Sequence, residues 1–149
     1  MLFHVCRRGT GGEAPAGDWL LVNVAADSAS IALLRGPHVI FFRSRGAETD
    51  GTLVDLVHQT AMYYEDRLQG AGFTRVLLAG GTTARDAADI DQVRRSLEER
   101  LTTRVDTVDP RAAVTITDRI VASATLIDAL TPLVGTLLRD HKAELVKTE

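Results

Sequence analysis

Two short stretches hold the residues whose types could do chemistry. Asn23-Val24-Ala25-Ala26-Asp27-Ser28-Ala29-Ser30 ends an apolar run in a turn with two serine hydroxyls, and hydroxyls at such a turn can hydrogen-bond a phosphate. They serve equally well as ordinary hairpin-turn residues. The second stretch is Val76-Leu77-Leu78-Ala79-Gly80-Gly81, where a paired glycine after an apolar strand lets a flat ligand such as an adenine lie against bare backbone. The same pair also fits a tight strand-to-helix turn. The candidate nucleotide-binding residues are therefore Asn23, Ala25, Ser28, Ser30, Gly80 and Gly81. No catalytic residue and no metal ligand is expected.

Other chemistries find less. His4, His38, His58 and His141 show neither His-x-His nor His-Glu-x-x-His spacing. No Gly-x-Ser-x-Gly elbow is present, and Cys6 has no evident base to activate it. Gly9-Thr10-Gly11-Gly12 is not followed by the Gly-Lys-Ser/Thr of a phosphate loop. Two-metal nucleolysis needs carboxylates on the central strands to hold the ions. The first strand instead offers neutral Asn23, and the fourth ends in Ala79-Gly80-Gly81. Glu65 and Asp66 lie near the end of a helix, where they solvate it. Tyr63-Tyr64-Glu65-Asp66-Arg67 looks motif-like, yet one tyrosine belongs to a buried stripe.

The elements that position these stretches follow from hydropathy. Residues 7–18 contain four glycines and a proline and read as a flexible tail. Apolar runs from Trp19, from Ser30 and from His38, separated by Asp27-Ser28 and Gly36-Pro37, predict an antiparallel meander. Thr52 with Asp55 opens a helix as a capping box. Leu53, Val57, Ala61, Tyr64 and Leu68 mark its inner stripe, with Gly70 and Gly72 ending it. A second helix spans about Arg85 to Leu101, turning Ile90, Val93, Leu97 and Leu101 inward. Its outer Arg94, Arg95, Glu98, Glu99 and Arg100 form a solvated face. Arg104–Val108 is a fifth strand, and a last helix runs from about Asp118 to His141 with Leu130 on its inner stripe. The order β-β-β-α-β-α-β-α predicts an α/β fold on a mixed five-stranded sheet, the ribonuclease H-like core that also builds each lobe of the actin-like ATPases. The expected organisation is a tail over 1–18, one lobe over 19–141 and a C-terminal tail over 142–149.

Composition agrees with a single domain. The chain has 149 residues, of which 45% are hydrophobic. A chain of that length buries roughly two-thirds of its unfolded surface. With 17 Lys and Arg against 20 Asp and Glu, the net charge of −3 argues against a surface devoted to nucleic acid. One cysteine excludes an internal disulfide framework. No stretch reaches the ~20 apolar residues of a membrane-spanning helix, so a cytoplasmic chain with no direct membrane insertion is expected.

The ordered series also resembles the PilM-like proteins of type IV pilus assembly, relatives of the cell-division actin homologue FtsA. The resemblance rests on Leu20–Ser30, Leu33–Gly36 and Ile40–Ser44 as the opening hairpin and third strand of the second lobe. It continues through Leu56–Leu68, Arg75–Gly81, Arg94–Asp109 and Leu130–Arg139. Against that family Asn23 stands where Asp is expected in the phosphate turn and Ala25 where Gly is expected. Residues 45–52 leave only a short loop where a subdomain is usual, and the first lobe is absent. The resemblance implies a non-catalytic scaffold module of a type IV pilus or type II secretion-like platform, peripheral to the inner membrane. Such a module binds the cytoplasmic tail of an inner-membrane component and can form homo-oligomers. It needs no cofactor. The alternative is a nucleotide-binding lobe that completes an ATP and Mg site only with a partner lobe or a second copy.

Overall fold

The apolar run after Gly17 becomes the central strand of a sheet, because it is apolar at successive positions and so has two faces to bury. In the computed structural model, which describes residues 17–25, 27–46, 51–80 and 87–108 together with 123, 126 and 130, that strand is β1, Asp18–Val24. It is followed by β2, Ser28–Arg35, and β3, His38–Gly46, then by helix α1, Leu53–Leu68. The succession ends with β4, Arg75–Gly80, helix α2, Ala87–Leu101, and β5, Val105–Thr107. The strands lie in the order β3-β2-β1-β4-β5, the first three antiparallel and β4 and β5 parallel to β1. This is the mixed ribonuclease H-like sheet that the element order predicts.

Side chains alternate across each strand, so the two faces can be read off the register. Leu20 and Val22 lie beside Val76 and Leu78 of β4 and beside Ile31 and Leu33 of β2. With Val105, with Leu56, Val57 and Tyr64 of α1 and with Leu97 of α2, they form one contiguous core. Fully burying a side chain of this size is worth about 1.5–3 kcal/mol. Trp19, Leu21, Leu34, Leu77 and Ala79 point to the opposite face and are buried too. The first strand is thus buried on both faces, as its sequence demanded.

The first helix begins as expected. Thr52 accepts from the Asp55 N–H at 3.1 Å, and the Asp55 carboxylate accepts from the Thr52 N–H at 3.3 Å. Its end differs from the expectation. The left-handed C-cap residue is Gln69, with φ of 54°, rather than Gly70 or Gly72. Gly70 serves packing instead, since a Cβ there would come within 2.0 Å of the Tyr64 ring. The inner stripe widens to include Leu56 and Thr60, whose buried hydroxyl donates to the Leu56 carbonyl at 2.7 Å.

In α2 the expected inward residues lead with Leu97, which is fully buried. Arg94 pairs with Glu98 at 3.0 Å and with Asp91 at 3.6 Å, at i,i+4 and i,i+3 spacing. Of the residues expected on a solvated face, Arg95, Glu99 and Arg100 are exposed, whereas Arg94 and Glu98 are half-buried and Glu98 accepts from the Val105 N–H of β5 at 3.1 Å. Asp18, placed in the tail by sequence, is instead the first residue of β1 and is heavily hydrogen-bonded. The chain divides into two compact units, residues 15–107 and residues 1–14 with 108–149. The expected tails, Cys6 and most of the helix over 118–141 lie outside the described residues. Leu126 and Leu130 are helical, and the Ser123 hydroxyl accepts from the Leu126 N–H at 3.2 Å. Leu130, expected to face inward, is exposed: it shares a face with Leu126 four residues earlier, and both are open to solvent.

Candidate functional site

Open α/β sheets bind ligands outside the carboxyl ends of their strands, at the place where the strand order reverses. Here that place is the end of β1, which has antiparallel β2 on one side and parallel β4 on the other. The sequence-predicted residues come together there. Asn23 stands opposite Ser30 on β2 and beside Ala79 on β4, and Val24 stands beside Gly80. The Ala25 N–H donates to the Ser28 carbonyl at 2.8 Å and closes the β1–β2 hairpin. Gly81 lies outside the described residues.

The chemistry of this end is quiet. The Ser28 hydroxyl donates to Asp27 Oδ1 at 3.2 Å, and the Ser30 hydroxyl lies 3.1 Å from that of Ser44 on β3. Asn23, Ser30 and Ser44 thus run as a neutral polar row across three strands, with Asp27 as the carboxylate of the turn. Sequence reasoning missed Ser44, because counting back from the Gly36-Pro37 turn sets Ser30 against Arg43, and only the irregularity between Leu33 and Leu34 brings Ser44 opposite it. Among the described residues no group of three or more His, Cys, Asp or Glu side chains converges as a metal site.

Gly80 has an explanation inside the sheet. Its φ is +78°, and a Cβ would fall 1.8 Å from the Val24 carbonyl oxygen. The left-handed backbone and the close approach each exclude a side chain. The space that a ligand would take beside this glycine is on that side filled by β1.

A second polar cluster, unforeseen from sequence, occupies the opposite end of β1. Asp18 and Arg35 are cross-strand partners. Arg35 Nε and Nη2 donate to the two Asp18 oxygens at 2.9 and 2.8 Å, a bidentate fork. The Tyr64 hydroxyl lies 2.8 Å from Asp18 Oδ2 and 3.0 Å from the Gly72 carbonyl, one proton between two acceptors. The Asp18 carbonyl accepts from both the N–H and the hydroxyl of Thr74. The Arg35 hydrogen bonds hold the Asp18 carboxyl below its ordinary range, against a smaller opposing effect of burial. Burial, followed by the neighbouring carboxylate, pushes the Tyr64 phenol up to about 12. One residue of β1 in this way ties together β2, α1 and the loop into β4.

No family model matches the chain, and no curated protein matches it. Solved structures do. A chain of the PilM-PilN type IV pilus biogenesis complex is 15% identical, with a TM-score of 0.59 over 91% of this chain and 49% of its own. A Bacteroides thetaiotaomicron protein with an actin-like ATPase fold and unknown function is 11% identical, with a TM-score of 0.47 over 72% of this chain and 38% of its own. A filament of AlfA bound to AMPPNP is 11% identical, with a TM-score of 0.45 over 90% of this chain and 44% of its own. The chain spans less than half the length of each of these three. Its fold is the actin-like, ribonuclease H-like one.

Proposed function

We propose that this chain is a non-catalytic scaffold module, similar to the second lobe of PilM-like proteins, in a type IV pilus or type II secretion-like assembly platform. It works in the cytoplasm, held at the inner membrane by the cytoplasmic tail of a membrane-embedded partner. One observation carries the reading: where actin-like folds would handle nucleotide, the ends of β1 and β4 carry no charged side chain, and the one carboxylate of the turn, Asp27, accepts from the Ser28 hydroxyl. Asn23 cannot order metal-bound water as a carboxylate can, and the Ser28 and Ser30 hydroxyls have protein partners. The side of Gly80 facing β1 is taken by the Val24 carbonyl. The likeness to a chain of the PilM-PilN complex supports the choice of assembly at the level of fold. Among the described residues no helix is long and apolar enough to cross a membrane, so attachment through a partner is the natural arrangement.

The test is a pull-down against the cytoplasmic tail of an inner-membrane pilus component. Capture at micromolar concentration is the expected result, and no binding at high micromolar concentration refutes the reading.

A second reading has one observation behind it: five of the six candidate residues do meet at one sheet end. In that case the chain is a lobe that binds ATP and Mg only with a partner lobe or a second copy. Calorimetry with Mg-ATP separates the two readings. The scaffold reading expects a flat titration for the chain alone and for its complexes, whereas saturable heat from a complex favours the composite site.

A further inference from the structure

The sheet has two edges, and they are finished differently. β5 is three residues long, and its Asp106 pairs with Arg75 at 3.5 Å and Arg104 at 3.1 Å. Short length and charge are what keep an edge from pairing further. β3 runs nine residues, His38–Gly46, and among the described residues nothing pairs with its outer side. Val39 is 59% exposed and Phe42 63% exposed on this open edge.

Apolar surface flanks the edge on both faces. Val39 and Phe42 stand opposite Leu34 and Ala32 on the face of Trp19 and Leu21. Phe41 stands opposite Leu33 on the core face, its ring 5.0 Å from that of Tyr63, which is itself exposed. The edge is also one-signed. β3 carries Arg43 and Arg45 and no carboxylate, in a chain whose net charge is −3. Arg43 is exposed and makes no ion pair among the described residues.

We propose that the outer edge of β3 accepts an added strand from another protein: an extended segment, apolar at alternate positions, with a carboxylate opposite Arg43. The ladder of main-chain groups supplies the binding, and the side chains on either face choose the partner. Charge selects against a second copy of this chain. An antiparallel self-pair centred on Phe42 makes the two Arg43 residues diagonal neighbours, about 7–8 Å apart, with no carboxylate on either strand. An acidic strand turns the same position into an ion pair. The inference deepens the scaffold reading and rests on it for the existence of a peptide partner.

The probe is a labelled ten-residue peptide of alternating valine and threonine with two glutamates on one face, titrated against the full chain by fluorescence anisotropy. Its lysine twin and a twin with alternate amides methylated are the controls. The glutamate peptide should bind about ten-fold more tightly than the lysine peptide, from one favourable charge pair gained and one repulsion avoided. Arg43→Glu should reverse that preference, and methylation should abolish binding. Equal binding of the methylated peptide, or a preference indifferent to Arg43, overturns the proposal. So does a concentration-dependent dimer in sedimentation that the peptide fails to disperse, which would make a second copy the occupant. Capture of a pilus partner's tail that is unchanged in Arg43→Glu leaves the scaffold reading standing and removes the edge from it.

Discussion

The two ends of β1 are built from opposite materials. At its amino end Asp18, exposed Arg35 and buried Tyr64 make a charged clasp in which the carboxylate oxygens are each engaged within 3 Å. At its carboxyl end Asn23, Ala25, Ser28, Ser30 and Gly80 are small or neutral. α/β folds place ligands at the carboxyl end. The residues able to shift pKa values and fix geometry are therefore concentrated where no ligand is expected. Perturbed titration often marks a functional site, but structural ion-pair networks produce it too, and geometry assigns this cluster to the latter. The clasp joins two strands, a helix and a loop, and holds the sheet together from the far side.

The contrast breaks most sharply at the one carboxyl-end residue with a strict steric role. Gly80→Ala puts a methyl against the Val24 carbonyl in a backbone conformation that already disfavours it. Unfolding in urea should show a loss of about 4 kcal/mol or more, or no folded protein at all. A near-neutral result would show that β1 and β4 part easily at this end and that the Gly80 backbone is open to a ligand. Asp18→Ala comes next. It strips Arg35 and Tyr64 of their shared acceptor, and the buried phenol keeps the Gly72 carbonyl, so unfolding in urea should show a loss of about 1–3 kcal/mol. Asp18→Asn, which keeps an acceptor, should cost less.

The same clasp sets the response to pH. The folded Asp18 carboxyl sits below its ordinary value, so the unfolded chain takes up a proton first on acidification. Its contribution is complete above the unfolded value near 3.8 and is lost as pH falls through the lower folded value. Tyr64 works in the other direction. Its folded value of about 12 lies above 10.0, so its contribution is complete below pH 10 and disappears as pH rises toward 12. Urea midpoints followed across pH should therefore decline at both extremes. Asp18→Asn should remove the acid limb and soften the alkaline one, since its charge helps to raise Tyr64, and Tyr64→Phe should remove the alkaline limb while weakening the acid one only slightly. A profile that either variant leaves unchanged would remove that residue from the clasp.

Hydropathy made the sheet legible because the apolar runs of β1 and β4 have few alternatives to central strands, and the Thr52–Asp55 box announced α1 by local chemistry alone. The candidate residues converged because Asn23 and Gly80 each close a strand that must pair with the other. What stayed hidden depends on pairing register. Asp18 reads as the end of a glycine-rich tail until β1 and β2 are aligned with Leu20 opposite Leu33. That alignment sets Asp18 against Arg35. Gln69 holds the left-handed cap although two glycines follow, and Gly70 instead leaves room for the Tyr64 ring. Gly80 looked like an invitation to a ligand, whereas its need for glycine comes from the neighbouring carbonyl. Chain pattern predicts which residues meet more readily than it predicts what fills the space between them.

The smallest expected effects belong to the neutral end, and they sharpen the comparison. Ser30→Ala removes one side of an exposed hydroxyl pair whose partner Ser44 can turn to water, so stability should move by no more than about 0.5 kcal/mol. Asn23→Asp combined with Ala25→Gly is the more telling change. It restores the carboxylate and the small turn residue that the family resemblance expects, and should cost about 1 kcal/mol or less because Ala25 lies at the hairpin turn and Asn23 near the strand end. If the neutral end owes its silence to those two side chains alone, the double variant should gain saturable Mg-ATP heat in calorimetry while the parent stays flat. The expected outcome is that both stay flat. The Val24 carbonyl fills the β1 side of Gly80, and the Ser30 and Ser44 hydroxyls stay paired with each other, whatever charge the strand end carries.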